Sequence, residues 1–589
     1  MNGIYLILVL LVGNLLAACS TISTPPDNAI RDTWTEQHME NRRWRSPEEQ
    51  QRDYIKLASE SSLPIQDSWV KVIGTDTNSS IQSLADKIYL IEHAKYSIDL
   101  TYYIFSTDIA GSAMLGALCE AVQRGVDIRI MVDSLGSFSL IHEDLKGLKQ
   151  CENKAGYVKN ESGNVTTQKA RVQVVVFNAM TKWDSDFNRR SHDKLLIVDG
   201  AYPKDAVLIT GGRNISVHYY AIDEKALPDP GAFKDIEIIL KPSDSATAET
   251  SPTQLAEYYY SILFSKPGNK NLTTFVTYKR AMEHEKSQLE YLKNSPAFKN
   301  AYQKSANHLN HGFSLTQTRF AHELDNLINE NLVSSYSHNK LKNANSISGI
   351  LGRVGYENFD IKKVRIVSPY LFLQSDLLKD QEVISKNINV TLEWLDKDPD
   401  RSIEIITNSV LTSDNFFTQA VIDMHTAPQL LMTEQERQQW LDSDLSQNEE
   451  NQQFINSESW QKLINHPRII FYQLGKSDAV NLGGSEYYGK LHAKFVIADD
   501  RAFVGTTNLD FRSLLYNNEM GFFLLGGEVI DRLNAEFDLL QTQSNRWGSK
   551  DWLEMRHKVR EVGGMKGFTT NEQRAIYKSL ENTGLIYQF

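Results

Sequence analysis

The sequence predicts an α/β protein made of two related halves joined by helical segments. Short runs of β-branched and apolar residues alternate with stretches of helical periodicity, the pattern of α/β units with mixed or parallel sheets. The runs recur in the same order in both halves. One short motif, His-x-Lys-x4-Asp, occurs once in each half, as His192, Lys194, Asp199 and as His492, Lys494, Asp499. At 589 residues the chain is long enough for two sizeable cores.

The repeat can be followed run by run. "YSIDLTYYIF" (96–105) matches "VRIVSPYLFL" (364–373), and "VDIRIMVDS" (126–134) matches "SIEIITNS" (402–409). "VQVVVFN" (172–178) matches "RIIFYQL" (468–474). The motif strands "KLLIVD" and "KFVIAD" come next, each followed by a Gly-led turn that ends in Asn214 or Asn508. "FKDIEIIL" (233–240) and "NNEMGFFLL" (517–525) complete the set. These matches predict units at 76–250 and 346–540. The Glu-, Lys- and Gln-rich stretch 251–345 is expected to be a helical bridge, 414–465 a polar helical insertion, and 541–589 a C-terminal helical segment.

Strand periodicity explains the motif spacing. Alternate side chains on a strand share a face. His192 and Lys194 therefore point one way, as do His492 and Lys494. Asp199 and Asp499 lie an odd number of residues further on and should face away, holding backbone or a neighbouring strand. Two His, two Lys and two Asn brought together would suit a phosphodiester anion.

Composition narrows the function classes. Hydrophobic residues make up 41% and charged residues 23%, as in ordinary globular proteins. The formal charge of −12 speaks against a nucleic-acid partner, which selects a basic surface. No residue group shows metal-ligand spacing, and no cofactor is expected.

The N-terminus reads as an address. "IYLILVLLVGNLLAA" is short for a spanning helix and suits a signal-peptide core. It runs into Leu16-Ala17-Ala18-Cys19, which resembles the bacterial lipobox, with 1–18 removed and Cys19 lipidated. An uncleaved anchor is the alternative. Ser20 after the Cys would favour the outer membrane, facing the periplasm. Residues 19–75 are expected to be a polar tether with a short helix. Export permits a disulfide between Cys119 and Cys151. Cys119 lies in an apolar helical stretch, however, so a buried free thiol is expected.

The paired motifs with their Asn tails resemble the phospholipase D superfamily. The stretches "IDLTYYIF", "RGVDIRIMVDS", "NRRSHDK", "TGGRNIS", "FKDIEIIL", "IITNS", "LHAK" and "NLDFRSLLYNNEMGF" are similar to bacterial C-type cardiolipin synthases. That resemblance implies two tandem α/β/α sandwich domains with mixed sheets, packed face to face and carrying helical insertions. It also implies a phospholipid substrate such as phosphatidylglycerol, and some C-type relatives work with a partner protein.

The implied chemistry is covalent catalysis. Lys194 and Lys494 neutralise the phosphodiester oxygens, and Asn214 and Asn508 donate further hydrogen bonds. One His attacks phosphorus, and the other protonates the leaving alkoxide and then deprotonates the acceptor. The resemblance favours His192 as nucleophile and His492 as acid and base. It also suggests Asp235 and Glu519 as the carboxylates that orient the imidazoles, within each half or crosswise. Surface acids at strand starts are the other reading of these two. His218 is a candidate headgroup contact or a packed loop histidine. The expected function is cardiolipin synthase-like transphosphatidylation by a lipid-anchored enzyme. A hydrolytic phospholipase D, a metal-independent nuclease and a non-catalytic membrane scaffold are the alternatives.

Overall fold

A single sheet runs through both halves of the computed structural model. The structure describes residues 24–58, 63–137, 143–179, 188–247, 251–273, 279–328, 340, 343–357, 360–373, 394–442, 455–476, 478, 482 and 489–589. The expected leader and Cys19 lie outside these residues, as do 443–454 of the expected insertion.

The strands in chain order are β1 (Ile65–Ile73), β2 (Ser97–Tyr102), β3 (Asp127–Asp133), β4 (Tyr157–Lys159), β5 (Val165–Lys169), β6 (Val172–Phe177), β7 (Lys194–Val198), β8 (Val207–Gly211) and β9 (Glu237–Pro242). They continue as β10 (Lys270–Asn271), β11 (Ser314–His322), β12 (Lys363–Val367), β13 (Ser402–Asn408), β14 (Ile469–Leu474), β15 (Phe495–Ala498), β16 (Arg501–Gly505), β17 (Met520–Leu525) and β18 (Ser544–Arg546).

Apart from the β4–β5 pair, the order across the sheet is β10-β6-β3-β2-β7-β8-β9-β1-β11-β17-β16-β15-β12-β13-β14-β18. The second half thus mirrors the first. β6-β3-β2 and β14-β13-β12 are parallel, and between β2 and β3 a helical crossover, Ile109–Gln123, returns the chain to the same edge. β7-β8-β9 and β15-β16-β17 are antiparallel meanders. β1 pairs with β9 on one side and β11 on the other, and β11 pairs with β17.

Helices cover the sheet. Those named here are α1 (Thr33–Asn41), α2 (Pro47–Ala58), α3 (Thr77–His93), α4 (Ile109–Gln123), α5 (Pro252–Phe264), α6 (Lys279–Asn294), α7 (Pro296–His308), α8 (Phe416–Val421), α9 (Glu528–Thr542), α10 (Lys550–Val562) and α11 (Gly564–Thr583). Asp76 caps α3 by accepting from the backbone N–H of Asn78 and Ser79. α4 is buried on nearly every side because α6 packs over it. A Cβ at Gly116 would meet the Glu285 carbonyl at 2.6 Å, so glycine permits that close approach. One core joins residues of both halves, among them Leu195, Ile197, Phe320, Phe495, Ile497 and Phe522. This shared core fixes the halves relative to each other, since large buried side chains each contribute roughly 1.5–3 kcal/mol.

Three expectations need correction. Cys119 and Cys151 form a disulfide rather than free thiols, with Cα atoms 5.4 Å apart. The helix carrying Cys119 faces the turn holding Cys151, a pairing that local sequence does not reveal. The 19–75 segment is more than a tether and helix: it contains α1, α2 and β1, whose Val70 and Val72 enter the shared core. Arg42, just beyond α1, is buried against Asp99, Asp127 and Glu257. The 251–345 bridge contains α5, α6 and α7 but also β11. The Thr316, Thr318 and Phe320 alternation of β11 fits a strand inside the glutamine- and lysine-rich stretch.

Candidate active site

The site forms where the two halves exchange backbone hydrogen bonds. The His192 N–H donates to the Asn518 carbonyl at 2.9 Å, and the Asn518 N–H donates to the Arg190 carbonyl at 2.8 Å. In the mirrored position, the N–H of His492 donates to the Lys234 carbonyl at 2.8 Å, and Lys234 N–H donates to Lys490. Each His therefore sits beside the other half's acidic residue.

The pairing is crosswise. His192 Nδ1 lies 2.9 Å from Glu519 Oε1. His492 Nδ1 lies 2.7 Å from Asp235 Oδ2. Both carboxylates are fully buried, and both His are almost so. With Nδ1 facing a carboxylate, each Nε2 is left for chemistry.

His192 stands two residues before Lys194, the first residue of β7, and His492 and Lys494 stand just before β15, so the expected shared strand face gives way to lysines folded back against the histidine backbone. Lys194 Nζ donates to the His192 carbonyl at 2.8 Å. Lys494 Nζ donates to the His492 carbonyl at 2.5 Å and lies 2.9 Å from His492 Nδ1. The Asn214 Oδ1 accepts from the Ile104 N–H at 3.0 Å, while its Nδ2 donates to the Tyr219 hydroxyl at 3.0 Å. Asn508 is buried, and its Oδ1 has no hydrogen-bond partner among the described residues. Gly212 runs against Asp235 and the His492 carbonyl so closely that a Cβ there would collide with the carboxylate.

Asp199 and Asp499 point away from the cluster. Asp199 accepts from the N–H groups of Lys95, Tyr96 and Ser97 at 2.8–3.0 Å, tying the end of β7 to the start of β2. Asp499 does the same for Lys362 and Lys363 beside β12, at 2.8 Å each. Both adopt a left-handed backbone, φ 54° and 51°, which Asp tolerates better than most residues. His218 is exposed and stacks on Phe233, itself 6.0 Å from the His492 ring.

Several site residues were not apparent from the motifs. The Tyr103 ring packs edge-on against His192 at 5.0 Å, and Tyr219 against His492 at 5.1 Å. Thr506 Oγ1 donates to Glu519 Oε2 at 2.6 Å. Behind them, Asp193 accepts from Tyr259 at 2.7 Å and Asn518 at 2.8 Å. Tyr103 and Thr506 lie in stretches already matched by the repeat, but only spatial contact distinguishes them from their neighbours.

The two halves of the cluster differ electrostatically. Burial, then the charges of Lys194 and Lys494, hold His192 well below the usual imidazole range. Burial and Lys494 pull His492 down to about 4, while Asp235 resists that shift. Asp235 stays below the usual carboxylate range: burial opposes its charge, but His492 and Lys494 outweigh burial. Glu519 is pushed up to about 7, chiefly by burial. Burial and mutual repulsion lower Lys194 to about 7, and burial lowers Lys494 to about 8. Such packed cations suit an anionic ligand that restores their charge.

A family model described as "Cardiolipin synthase, PLD-like domain" matches residues 88–224 and 362–540. The chain belongs to that family. Each matched region holds one of the two His-x-Lys motifs that meet at the site. Among relatives, cardiolipin synthase C of Escherichia coli (strain K12) is 22% identical over 512 residues, covering 82% of this chain and 89% of that protein. A cardiolipin synthase of Oceanobacillus iheyensis is 28% identical over 172 residues, 29% of this chain and 30% of that protein. Among solved structures, phosphatidylserine synthase of Haemophilus influenzae Rd KW20 has the same fold. Its TM-score is 0.50 at 12% identity, with 91% of this chain and 98% of that chain covered.

Proposed function

We propose that this member of the cardiolipin synthase, PLD-like family is a membrane-tethered phosphatidyltransferase. Its reaction is cardiolipin synthase-like transphosphatidylation through a phosphohistidine. The observation that carries the reading is the crosswise pairing of two histidines with two carboxylates inside one buried cluster holding two lysines.

His192 is the nucleophile. Burial and the neighbouring cations keep it neutral, the form that attacks. Its Nε2 forms a bond to phosphorus as the phosphorus–oxygen bond to the donor alcohol breaks. His492 delivers a proton to that leaving oxygen. The phosphodiester's negative charge offsets Lys194 and Lys494, and ionised Asp235 stabilises the imidazolium. Lys194, Lys494, Asn214 and Asn508 bind the phosphoryl oxygens, with charge-assisted bonds strongest in the dry site. In the second half-reaction His492 takes the proton of the acceptor hydroxyl, whose oxygen attacks phosphorus while the phosphorus–nitrogen bond breaks. A glycerol hydroxyl of phosphatidylglycerol gives cardiolipin, and water gives phosphatidate.

The lipobox-like Leu16-Ala17-Ala18-Cys19 supports a lipid anchor and export, and the Cys119–Cys151 disulfide suits an oxidising compartment. The test is to incubate the purified full chain with phosphatidylglycerol vesicles and follow products by mass spectrometry. Cardiolipin is expected from the unaltered chain, and neither product from His192→Asn or His492→Asn. Phosphatidate without cardiolipin would refute the transferase, and full turnover in either variant would refute the site assignment.

A further inference from the structure

The two halves are built alike at the site, and the layer behind it differs. Ser191 bridges to Asn518 as Leu491 bridges to Lys234. One residue further on, His192 meets Glu519 and His492 meets Asp235, at 2.9 and 2.7 Å. The copies part at the residue after each histidine. The first motif has Asp193 there, and the second has Ala493. Opposite them, Asn518 precedes Glu519, whereas Lys234 precedes Asp235.

Asp193 is fully buried and takes no part in the reaction scheme above. Its Oδ2 accepts from the Tyr259 hydroxyl at 2.7 Å and from Asn518 Nδ2 at 2.8 Å. Asn518 Nδ2 also donates to the Tyr259 oxygen at 2.5 Å, which closes a triangle. Each corner comes from a different part of the chain: Asp193 from the first motif, Tyr259 from α5, and Asn518 from the second half. The Asn518 backbone is held as well, by the Arg190 carbonyl at 2.8 Å and the His192 N–H at 2.9 Å. Tyr259 is fixed in turn, because its ring stacks on His322 at 5.7 Å and meets Phe320 edge-on at 5.0 Å. His322 ends β11, and the N–H of the next residue, Glu323, donates to the Glu519 carbonyl at 2.9 Å. Glu519 is thus gripped from both sides, by Asn518 through the triangle and by Glu323 through the backbone.

A buried acid is costly to place, and Ala493 shows that an apolar residue fills the equivalent position in the shared core. The acid therefore needs a reason to be there. Burial pushes Asp193 up to about 8; the charge of Glu519 adds to that shift, while the Tyr259 hydroxyl and Lys194 oppose it. Near pH 7 Asp193 is a neutral acid. Its Oδ2 accepts two hydrogen bonds without repelling the Glu519 carboxylate. Its Oδ1, which has no hydrogen-bond partner among the described residues, can carry the proton.

We propose that Asp193, with Tyr259, is a positioning residue: it fixes Asn518 and, through Asn518, holds the Glu519 carboxyl against Nδ1 of His192. The restraint serves the first histidine alone, because Ala493 offers no equivalent to the second. It keeps the Nδ1–H tautomer of His192 in place and Nε2 open for attack. The proposal rests on the phosphohistidine reading, in which His192 is the nucleophile.

The test is a double-mutant cycle on the full-length chain, read by rapid mixing with a p-nitrophenyl phosphodiester at pH 7. Asp193→Ala is expected to slow the nitrophenolate burst about tenfold, as for loss of an ordinary hydrogen-bond contribution, with half-saturation by the donor unchanged. Asp193→Asn reproduces the neutral acceptor and should recover most of that rate. In a Glu519→Ala background, Asp193→Ala should add less than about a twofold loss, because the group it positions is gone. In an Asp235→Asn background the full tenfold loss should remain. An equal factor in both backgrounds, Asp193→Asn as slow as Asp193→Ala, or a weakened donor affinity with an unslowed burst overturns the proposal. Tyr259→Phe keeps the stacked ring and removes one donor, so it tests the triangle where Asp193→Ala unfolds. It should slow the burst about threefold with the same dependence on Glu519, and an unchanged or independent burst overturns the proposal. The parent reading fails separately: no burst from the unaltered chain removes the phosphohistidine. The same cycle scored on steady-state nitrophenolate release then decides the positioning of Glu519, with the same couplings expected.

Discussion

Replacing Asp235 by Asn should slow lipid turnover while leaving phosphoenzyme formation from an activated donor intact. Asp235 Oδ2 accepts the His492 Nδ1 hydrogen at 2.7 Å, and the carboxylate is fully buried. Asn is isosteric, but its neutral amide gives up the charge-assisted part of that bond. Hydrogen bonds to charged groups contribute about 1.5–3 kcal/mol, or about 10- to 150-fold in rate. The loss falls on proton delivery to the leaving alkoxide and on proton removal from the acceptor. A p-nitrophenyl phosphodiester needs no proton on its leaving group, so its first half-reaction should escape. The assay is a rapid-mixing burst of nitrophenolate alongside steady-state cardiolipin formation. Asp235→Asn should retain a burst of about one equivalent per site, as expected for covalent catalysis, while steady-state turnover falls. Glu519→Gln should instead slow the burst, since Glu519 orients the proposed nucleophile. Wild-type lipid turnover in Asp235→Asn, or loss of its burst, would refute the division of roles.

The lysines set an alkaline limit. Lys194 at about 7 and Lys494 at about 8 are needed as cations and lose their protons as pH rises through those values. A bound phosphodiester raises both, so the alkaline limb of kcat/KM should fall near pH 7–8 and that of kcat at higher pH; coincident limbs would contradict this. Reducing the Cys119–Cys151 disulfide, which spans 32 residues, should cost about 3.7 kcal/mol by the loop-entropy relation. Thermal melts with and without reductant report it, and an unchanged Tm would argue against a bridge. Arg42→Ala should destabilise by about 3–5 kcal/mol, because Asp99, Asp127 and Glu257 lose their shared buried cation. Denaturant unfolding measures that cost, and a loss under about 1 kcal/mol would mean the network contributes little.

The sequence by itself determined the repeated α/β architecture, because strand periodicity and the duplicated motif are local signals. "KLLIVD" and "KFVIAD" each specify a buried strand whatever lies elsewhere in the chain, although His192 and His492 fall just before β7 and β15 rather than on them. The outward turn of Asp199 and Asp499 follows from the same period of two. Only the tertiary structure decided how those parts meet. β1 and β11 lie in segments whose composition favoured a tether and helices, and they became strands because β9 and β17 offered edges to pair with. The Cys119–Cys151 bridge and the crosswise carboxylates depend on chain crossings that spacing along one dimension cannot encode. The unequal protonation of Asp235 and Glu519 depends on burial and neighbouring charge, which exist only after the halves have closed on each other.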